Sequence, residues 1–230
     1  MIQPVNPVLL DLYCGAGGAT VGYQKAGFAV VGVDIKPQPN YPGDWFIQAD
    51  AMEYLKEFGG VYHAIHASPP CQGYSQSKYI QGNDHPDHIP ELRRILRSIG
   101  RPYVIENVPG APLENPLTLC GTMFGLPLIR HRLFEVWPVP MAMAPAVCSH
   151  ERGGATSGNS YKRRNKQGNA RLSEGYKYVT VAGHSYIKAD GEKAMGIDWM
   201  TRDELSQAIP PAYTQYVGTY IREELLTNGY

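Results

Sequence analysis

The sequence predicts a doubly wound α/β sheet with a small irregular lobe. Short apolar runs alternate with stretches of helical periodicity, each run ends on a polar residue, and the first gives way to a cluster of glycines. Alternation of this kind builds a largely parallel sheet covered by helices, with its ligand cleft at the carboxyl ends of the strands.

Each element follows from its local pattern. Val8-Leu9-Leu10-Asp11-Leu12-Tyr13 reads as a buried strand stopped by Cys14-Gly15-Ala16-Gly17-Gly18, and Val21, Gln24 and Lys25 then carry a helix to a stop at Gly27. Residues 28–33 form a second strand closed by Asp34, and residues 45–47 a third. Met52, Leu55 and Phe58 mark a helix that follows Asp50 and ends at Gly59-Gly60, after which a fourth strand over 61–67 runs into Ser68-Pro69-Pro70-Cys71. Leu92, Ile95, Leu96 and Ile99 recur at i, i+3, i+4 and i+7, one apolar helix face closed by Gly100. A strand over 103–105 then delivers Glu106-Asn107 to the edge that holds Asp34. From 139 to 191 the chain turns to Gly, Ser, Asn and basic residues with little apolar periodicity, an insertion or small lobe, and helical patterning returns from Glu204 around Ile209-Pro210-Pro211.

Composition bounds the function. With 230 residues, 43% of them hydrophobic, the chain can bury one large core. No apolar run approaches a membrane span and the N-terminus lacks the pattern of a signal peptide, so a soluble, cytoplasmic protein with no membrane contact is expected. The four cysteines Cys14, Cys71, Cys120 and Cys148 show neither a disulfide framework nor paired zinc spacing, and each is expected as a reduced thiol. Cys148-Ser149-His150 with the distant His184 hints at metal, but a structural site wants four well-spaced ligands, so no metal is expected. The formal net charge of zero excludes a purely electrostatic nucleic-acid binder. Charge is nevertheless uneven: residues 151–177 hold seven basic residues against two acids.

The polar strand ends suggest chemistry. Gly15, Gly17 and Gly18 let backbone approach a ligand closely, Asp34 can accept both hydroxyls of a ribose, and Asp50 can accept from an adenine amino group. Either acid could instead be a helix cap or a solvated loop residue. In Ser68-Pro69-Pro70-Cys71-Gln72-Gly73-Tyr74-Ser75 two prolines stiffen the exit from a strand and present Cys71 to the cleft, where a thiol can serve as a nucleophile or lie inert.

Five segments in order resemble the DNA cytosine-5 methyltransferase family. They are Asp11 to Gly18, Pro70-Cys71-Gln72, Glu106-Asn107-Val108, Arg130-His131-Arg132-Leu133-Phe134 and Ala208-Ile209-Pro210-Pro211. Two positions depart from the pattern: Leu128 stands where the family carries Gln, and Ser206-Gln207 where it carries Gly-Asn. The resemblance implies a Rossmann-like methyltransferase sheet with a catalytic and cofactor-binding domain over 1–138, a target-recognition region over 139–191 and a returning segment over 192–230. It implies S-adenosylmethionine as cofactor, held by Tyr13, Gly15, Gly17, Asp34, Ile35, Asp50, Ala51 and Pro70. Double-stranded DNA would be the substrate of a monomeric enzyme, with room for a cognate restriction endonuclease as partner.

The implied roles suit the residue types. Cys71 would add to carbon 6 of a cytosine flipped out of the duplex, and Glu106, its pKa raised by burial, would protonate ring nitrogen 3. Arg132 would contact the base oxygen and orient Glu106, with Arg130 in support. Ser75 would hold a phosphate, and Lys162, Arg163, Arg164 and Lys166 would meet the DNA backbone. Two alternatives stay open: the same thiol chemistry on tRNA or with another transferred group, and a catalytically inactive DNA-binding homologue. Intact Cys71, Glu106 and Arg132 argue against the inactive form.

Overall fold

A computed structural model of the protein describes residues 6–71, 88–139, 147, 148, 150, 178–183 and 186–228. Seven strands form one sheet: β1 (Val8–Leu12), β2 (Ala29–Asp34), β3 (Trp45–Gln48), β4 (Ala64–Ala67), β5 (Tyr103–Asn107), β6 (Leu117–Leu119) and β7 (Arg132–Trp137). Their order is β3-β2-β1-β4-β5-β7-β6. β1 pairs in parallel with both β2 and β4, β3 joins β2 and β5 joins β4 in the same sense, and β7 runs antiparallel between β5 and β6. The chain therefore builds outward from β1 to β3 and then crosses to β4 on the other side. That reversal opens a cleft at the carboxyl ends of β1 and β4.

Strand pleating sends alternate side chains to opposite faces, so Leu9 and Leu10 enter different cores. On one face Leu9 and Val104 pack with Tyr23 of α1 (Gly18–Lys25) and with Tyr213, Val217 and Ile221 of α6 (Pro211–Asn228). The Thr214 hydroxyl donates to the Ala19 carbonyl at 2.8 Å, satisfying a polar group inside the contact between these helices. On the other face Leu10, Ile65 and Ile105 meet Leu55 of α2 (Ala51–Phe58) and Leu92, Ile95 and Leu96 of α3 (Ile89–Ile99). The apolar face read from the i, i+3, i+4 spacing is thus the buried one, and Gly100 ends α3 at φ 70.

A third core gathers Leu128, Val179, Val181 and Tyr186 with Met195 of α4 (Lys188–Met195) and Leu205 of α5 (Arg202–Gln207). The thinning of apolar periodicity up to 191 gives no sign of α4. Gly191 explains why: it stands inside the helix because a Cβ there would collide with the Tyr186 ring. Three other boundaries differ from expectation. Residues Gly59–Val61 form a 3-10 turn, so β4 starts at Ala64. β5 extends through Asn107, which puts Glu106 within the sheet, and β6 is a three-residue strand too short for any periodicity to reveal. Among the described residues no helix is long and apolar enough to cross a membrane.

Candidate active site

The loop after β1 is bent by two unusual backbones. Tyr13 sits at φ 58, a left-handed conformation uncommon outside glycine, and Gly17 at φ 79 turns the chain into α1. Asp34 holds this turn from the neighbouring strand: one carboxylate oxygen accepts from the Gly15 amide at 3.0 Å and the other from the Lys36 amide at 2.9 Å. Beside it Ile35 is 64% exposed, an apolar side chain at the rim of the cleft. Each carboxylate oxygen keeps a further lone-pair site, so a charged acceptor and an apolar surface flank an open glycine turn. These residues fit a nucleoside cofactor. Asp50 shows the other role left open for it: its Oδ1 accepts from the Met52 and Glu53 amides at 2.9 and 3.0 Å, capping α2. Ala51 is the first, buried residue of that helix.

The thiol and the acid lie at the ends of adjacent strands. Ser68 leaves β4, Pro69 is buried and Pro70 exposed, and Cys71 is half-buried. Asn107, at the end of β5, donates from Nδ2 to the Pro69 carbonyl at 3.0 Å and accepts the Val108 amide at 2.9 Å. One buried amide side chain thereby ties the Cys71 loop to the strand carrying Glu106. Glu106 is 5% exposed, and burial raises its pKa above the ordinary carboxylate range against the opposing pull of Arg132, a Ser68 hydrogen bond and Arg130. Arg132 Nε lies 3.0 Å from Glu106 Oε1, an ion-pair contact in which that oxygen lacks an aligned hydrogen bond.

A polar chain runs behind the acid. Tyr23 Oη stands 2.8 Å from His66 Nδ1, and His66 Nε2 2.8 Å from Ser68 Oγ, which bonds Glu106 in turn. Burial pushes the His66 pKa down to about 3, so the ring is neutral and passes one hydrogen bond through each nitrogen. No residue pattern points to this chain, because Tyr23 and His66 sit in a helix and a strand that read as core.

Arg130 is buried and bonds the backbone of later segments. Its Nη1 donates to the Val181 carbonyl and its Nη2 to the Ser206 carbonyl at 2.8 Å, while its own carbonyl accepts from the Tyr213 hydroxyl at 2.7 Å. Burial and the neighbouring Arg132 lower its pKa to about 9. The structure thus brings Cys71, Glu106 and Arg132 to one edge and places Arg130 behind them as an anchor for later segments. Ser75, Lys162, Arg163, Arg164 and Lys166 lie outside the described residues, as does His184.

One cluster runs against the expectation of no metal. Ligand atoms of Cys120, His131, Cys148 and His150 all lie within 4.8 Å of one another. The four come from three separated segments, a spacing that resembles no paired-ligand motif.

Residues 8–115 match the profile of the family described as C-5 cytosine-specific DNA methylase, a span that holds the glycine turn, Cys71 and Glu106. Over this segment the chain is similar to the C-5 cytosine-specific DNA methylase family. Type II methyltransferase M1.HphI of Haemophilus parahaemolyticus is 30% identical over 128 residues, covering 47% of this chain and 34% of that protein. Type II methyltransferase M.FnuDI of Fusobacterium nucleatum is 30% identical over 112 residues, covering 44% and 32%. The chain spans about a third of the length of these curated relatives.

The fold likeness extends beyond the methylase segment. A prophage-encoded E. coli protein, described as a DNA modification methyltransferase, superposes with TM-score 0.63 at 16% identity over 96% of this chain and 99% of that one. The Spodoptera frugiperda DNMT2 triple mutant superposes with TM-score 0.60 at 14% identity over 94% and 99%. The sheet of this chain, with β6, β7 and the C-terminal helices, is a methyltransferase fold.

Proposed function

We propose that the protein transfers a methyl group from S-adenosylmethionine to carbon 5 of a cytosine flipped out of double-stranded DNA, through a covalent Cys71 adduct at carbon 6. The observation that carries this reading is the coupling of two strand ends: Asn107 fixes the Cys71 loop beside Glu106, a buried acid with a raised pKa facing Arg132. In the reaction the Cys71 sulfur adds to carbon 6 while Glu106, holding its proton, hydrogen-bonds or protonates ring nitrogen 3, so electron density collects at carbon 5. Arg132 orients Glu106 and reaches the base oxygen. The bound cofactor supplies the methyl group. Loss of the proton from carbon 5 and expulsion of the Cys71 thiolate restore the ring and the enzyme.

Tyr13, Gly15, Gly17, Asp34, Ile35, Asp50, Ala51 and Pro70 would hold the cofactor. Asp34 serves twice, shaping the turn through two amides and offering its free lone pairs to ribose. Residues 139–191 would read the target, with Ser75, Lys162, Arg163, Arg164 and Lys166 on phosphates. A cognate restriction endonuclease is the partner this reading adds. Arg130 acts as a positioning residue, because its Nη1 and Nη2 donate to the Val181 and Ser206 carbonyls.

The test is a duplex in which 5-fluorocytosine replaces cytosine, incubated with protein and S-adenosylmethionine. Fluorine cannot leave as a proton, so a stable covalent complex is expected with the parent and none with Cys71→Ala. Adduct formation by the variant would remove Cys71 from the mechanism. A trap that forms only on 5-fluorocytidine-containing tRNA would move the substrate to RNA.

A further inference from the structure

We propose that Cys120, His131, Cys148 and His150 form a structural zinc site that clamps the start of the variable region onto the sheet beside the paired arginines. The inference does not depend on the methyl-transfer reading. Cys120 follows β6 and is buried, His131 stands between Arg130 and Arg132, and Cys148 and His150 follow β7 by some ten residues of chain. Four nitrogen and sulfur ligands of the two types zinc prefers therefore converge from three segments with no carboxylate or carbonyl in the set.

Two of the six ligand-to-ligand distances match a tetrahedral ion, within a set that spans no more than 4.8 Å. With Zn–N near 2.0–2.1 Å and Zn–S near 2.3 Å, the edges of a tetrahedron are about 3.3 Å between nitrogens and about 3.6 Å between nitrogen and sulfur. His131 Nε2 and His150 Nε2 are 3.3 Å apart, and Cys148 Sγ is 3.7 Å from His131 Nε2. Both imidazoles point the same ring atom into one centre. A hydrogen-bonded cluster is the alternative, and it is poorly matched, since a single proton serves only one of the nitrogen contacts while thiols donate weakly. The Thr122 hydroxyl lies 3.6 Å from Cys120 Sγ and 3.5 Å from Cys148 Sγ, placed to donate toward thiolate charge as an outer partner of a metal ligand. Two thiolates and two neutral imidazoles around a divalent ion sum to zero charge, which suits a half-buried position without a counter-ion.

Four protein ligands leave no open coordination position, so the ion is structural rather than catalytic. Its effect is local order. It would join the end of β6, the entry to β7 and residues 147–150, from which the chain passes directly into the basic stretch 151–177. The same ion would fix His131, whose neighbours Arg130 and Arg132 anchor the later segments and contact Glu106.

The full chain, expressed without a histidine tag in zinc-supplemented medium, should carry one zinc per chain by plasma mass spectrometry and by native mass. Cobalt exchanged into the site should show the d–d bands of a tetrahedral ion and a thiolate charge-transfer band. Cys148→Ser and His150→Gln should each lose stoichiometric zinc and the thiolate or tetrahedral signature. The wild-type measurement stands even if a variant fails to fold. Folded wild-type protein that retains no stoichiometric zinc and gives no tetrahedral cobalt spectrum would overturn the proposal, as would Cys120 and Cys148 recovered as a disulfide. Zinc that survives both substitutions would place the ion elsewhere and overturn it equally.

Discussion

Asp11 offers a measurement of how much the cleft costs the fold. It lies in the middle of the sheet at 1% exposure, one oxygen accepting the Thr20 hydroxyl at 2.5 Å and the other buried without a hydrogen-bond partner. Burial, opposed by the Thr20 bond and reinforced by the charges of Asp34 and Glu106, raises its pKa from 3.8 to about 7. The folded state therefore binds the proton more tightly than the unfolded chain does. Its stabilising contribution is complete below pH 3.8 and is lost as pH rises through 7. At 1.36 kcal/mol for each pH unit between the two values, keeping Asp11 protonated costs the fold about 1.5 kcal/mol at pH 5, and the buried carboxyl costs about 4 kcal/mol at pH 8.

Asp11→Asn keeps an acceptor for Thr20 and removes the charge. Urea unfolding of parent and variant at pH 4, 5, 6, 7 and 8 should show a stability difference that is near zero at the acid end, grows by roughly 1.4 kcal/mol per pH unit and levels off above pH 7. The m-value should not change. A difference that stays constant from pH 4 to pH 8 would refute the reasoning, because it would mean that Asp11 has the same pKa folded and unfolded.

Three further outcomes are expected. Glu135 accepts from Arg93 Nε at 2.8 Å and Nη2 at 2.7 Å while taking the Glu114 amide, so Glu135→Leu should lower unfolding stability by about 1–3 kcal/mol, leaving Arg93 with only Glu114 and the Pro112 carbonyl; an unchanged stability would argue against the pair. Asp34→Ala removes the acceptor of two loop amides, and calorimetric titration should show S-adenosylmethionine affinity falling about tenfold to a hundredfold, as for loss of charge-assisted hydrogen bonds worth about 1.5–3 kcal/mol; affinity within twofold of the parent would contradict it. Asn107→Ala frees the Pro69 carbonyl and should slow adduct formation on 5-fluorocytosine DNA while cofactor affinity stays put, whereas an unchanged trapping rate would show that the Cys71 loop is held by other contacts.

Legibility in the sequence followed the range of the interactions. Strands β1, β2 and β5 and helix α3 could be read because burial imposes its period on neighbouring residues, and Cys71, Glu106 and Arg132 because the short segments around them, after β4, within β5 and at the start of β7, resemble those of a known family. Asp50 shows the limit: an acid after a strand serves a cofactor or caps a helix, and the amides of Met52 and Glu53 reveal the cap on Oδ1 only once the backbone is built. Asn107 was visible as a motif letter, but its partner Pro69 is distant in sequence. His66 and Tyr23 looked like core and are core, yet their polar atoms line up behind Glu106. Cys148 and His150 hinted at metal by sharing a turn, but Cys120 and His131 could not be joined to them, since each stands alone in its own distant segment.

The two departures from the family pattern meet at one seam. Leu128 is fully buried in the third core, bridges Val179 in a parallel contact and directs its carbonyl toward Cys120 Sγ at 3.9 Å. A polar amide there would need partners that Val179, Val181 and Met195 cannot supply, so an apolar residue is what this core requires. Ser206 occupies the other side: its hydroxyl donates to the Gly183 carbonyl at 2.7 Å, and its carbonyl accepts from Arg130. A glycine would give up the hydroxyl bond. Both substitutions therefore hold residues 179–183 against the sheet, the stretch that leaves the basic region, and they do so through the residues immediately before the Arg132 contact with Glu106. Where the family pattern is broken, Leu128 supplies packing and Ser206 a hydroxyl bond to Gly183. The acid, the thiol and the arginine that faces them keep their places because that seam is closed by other means.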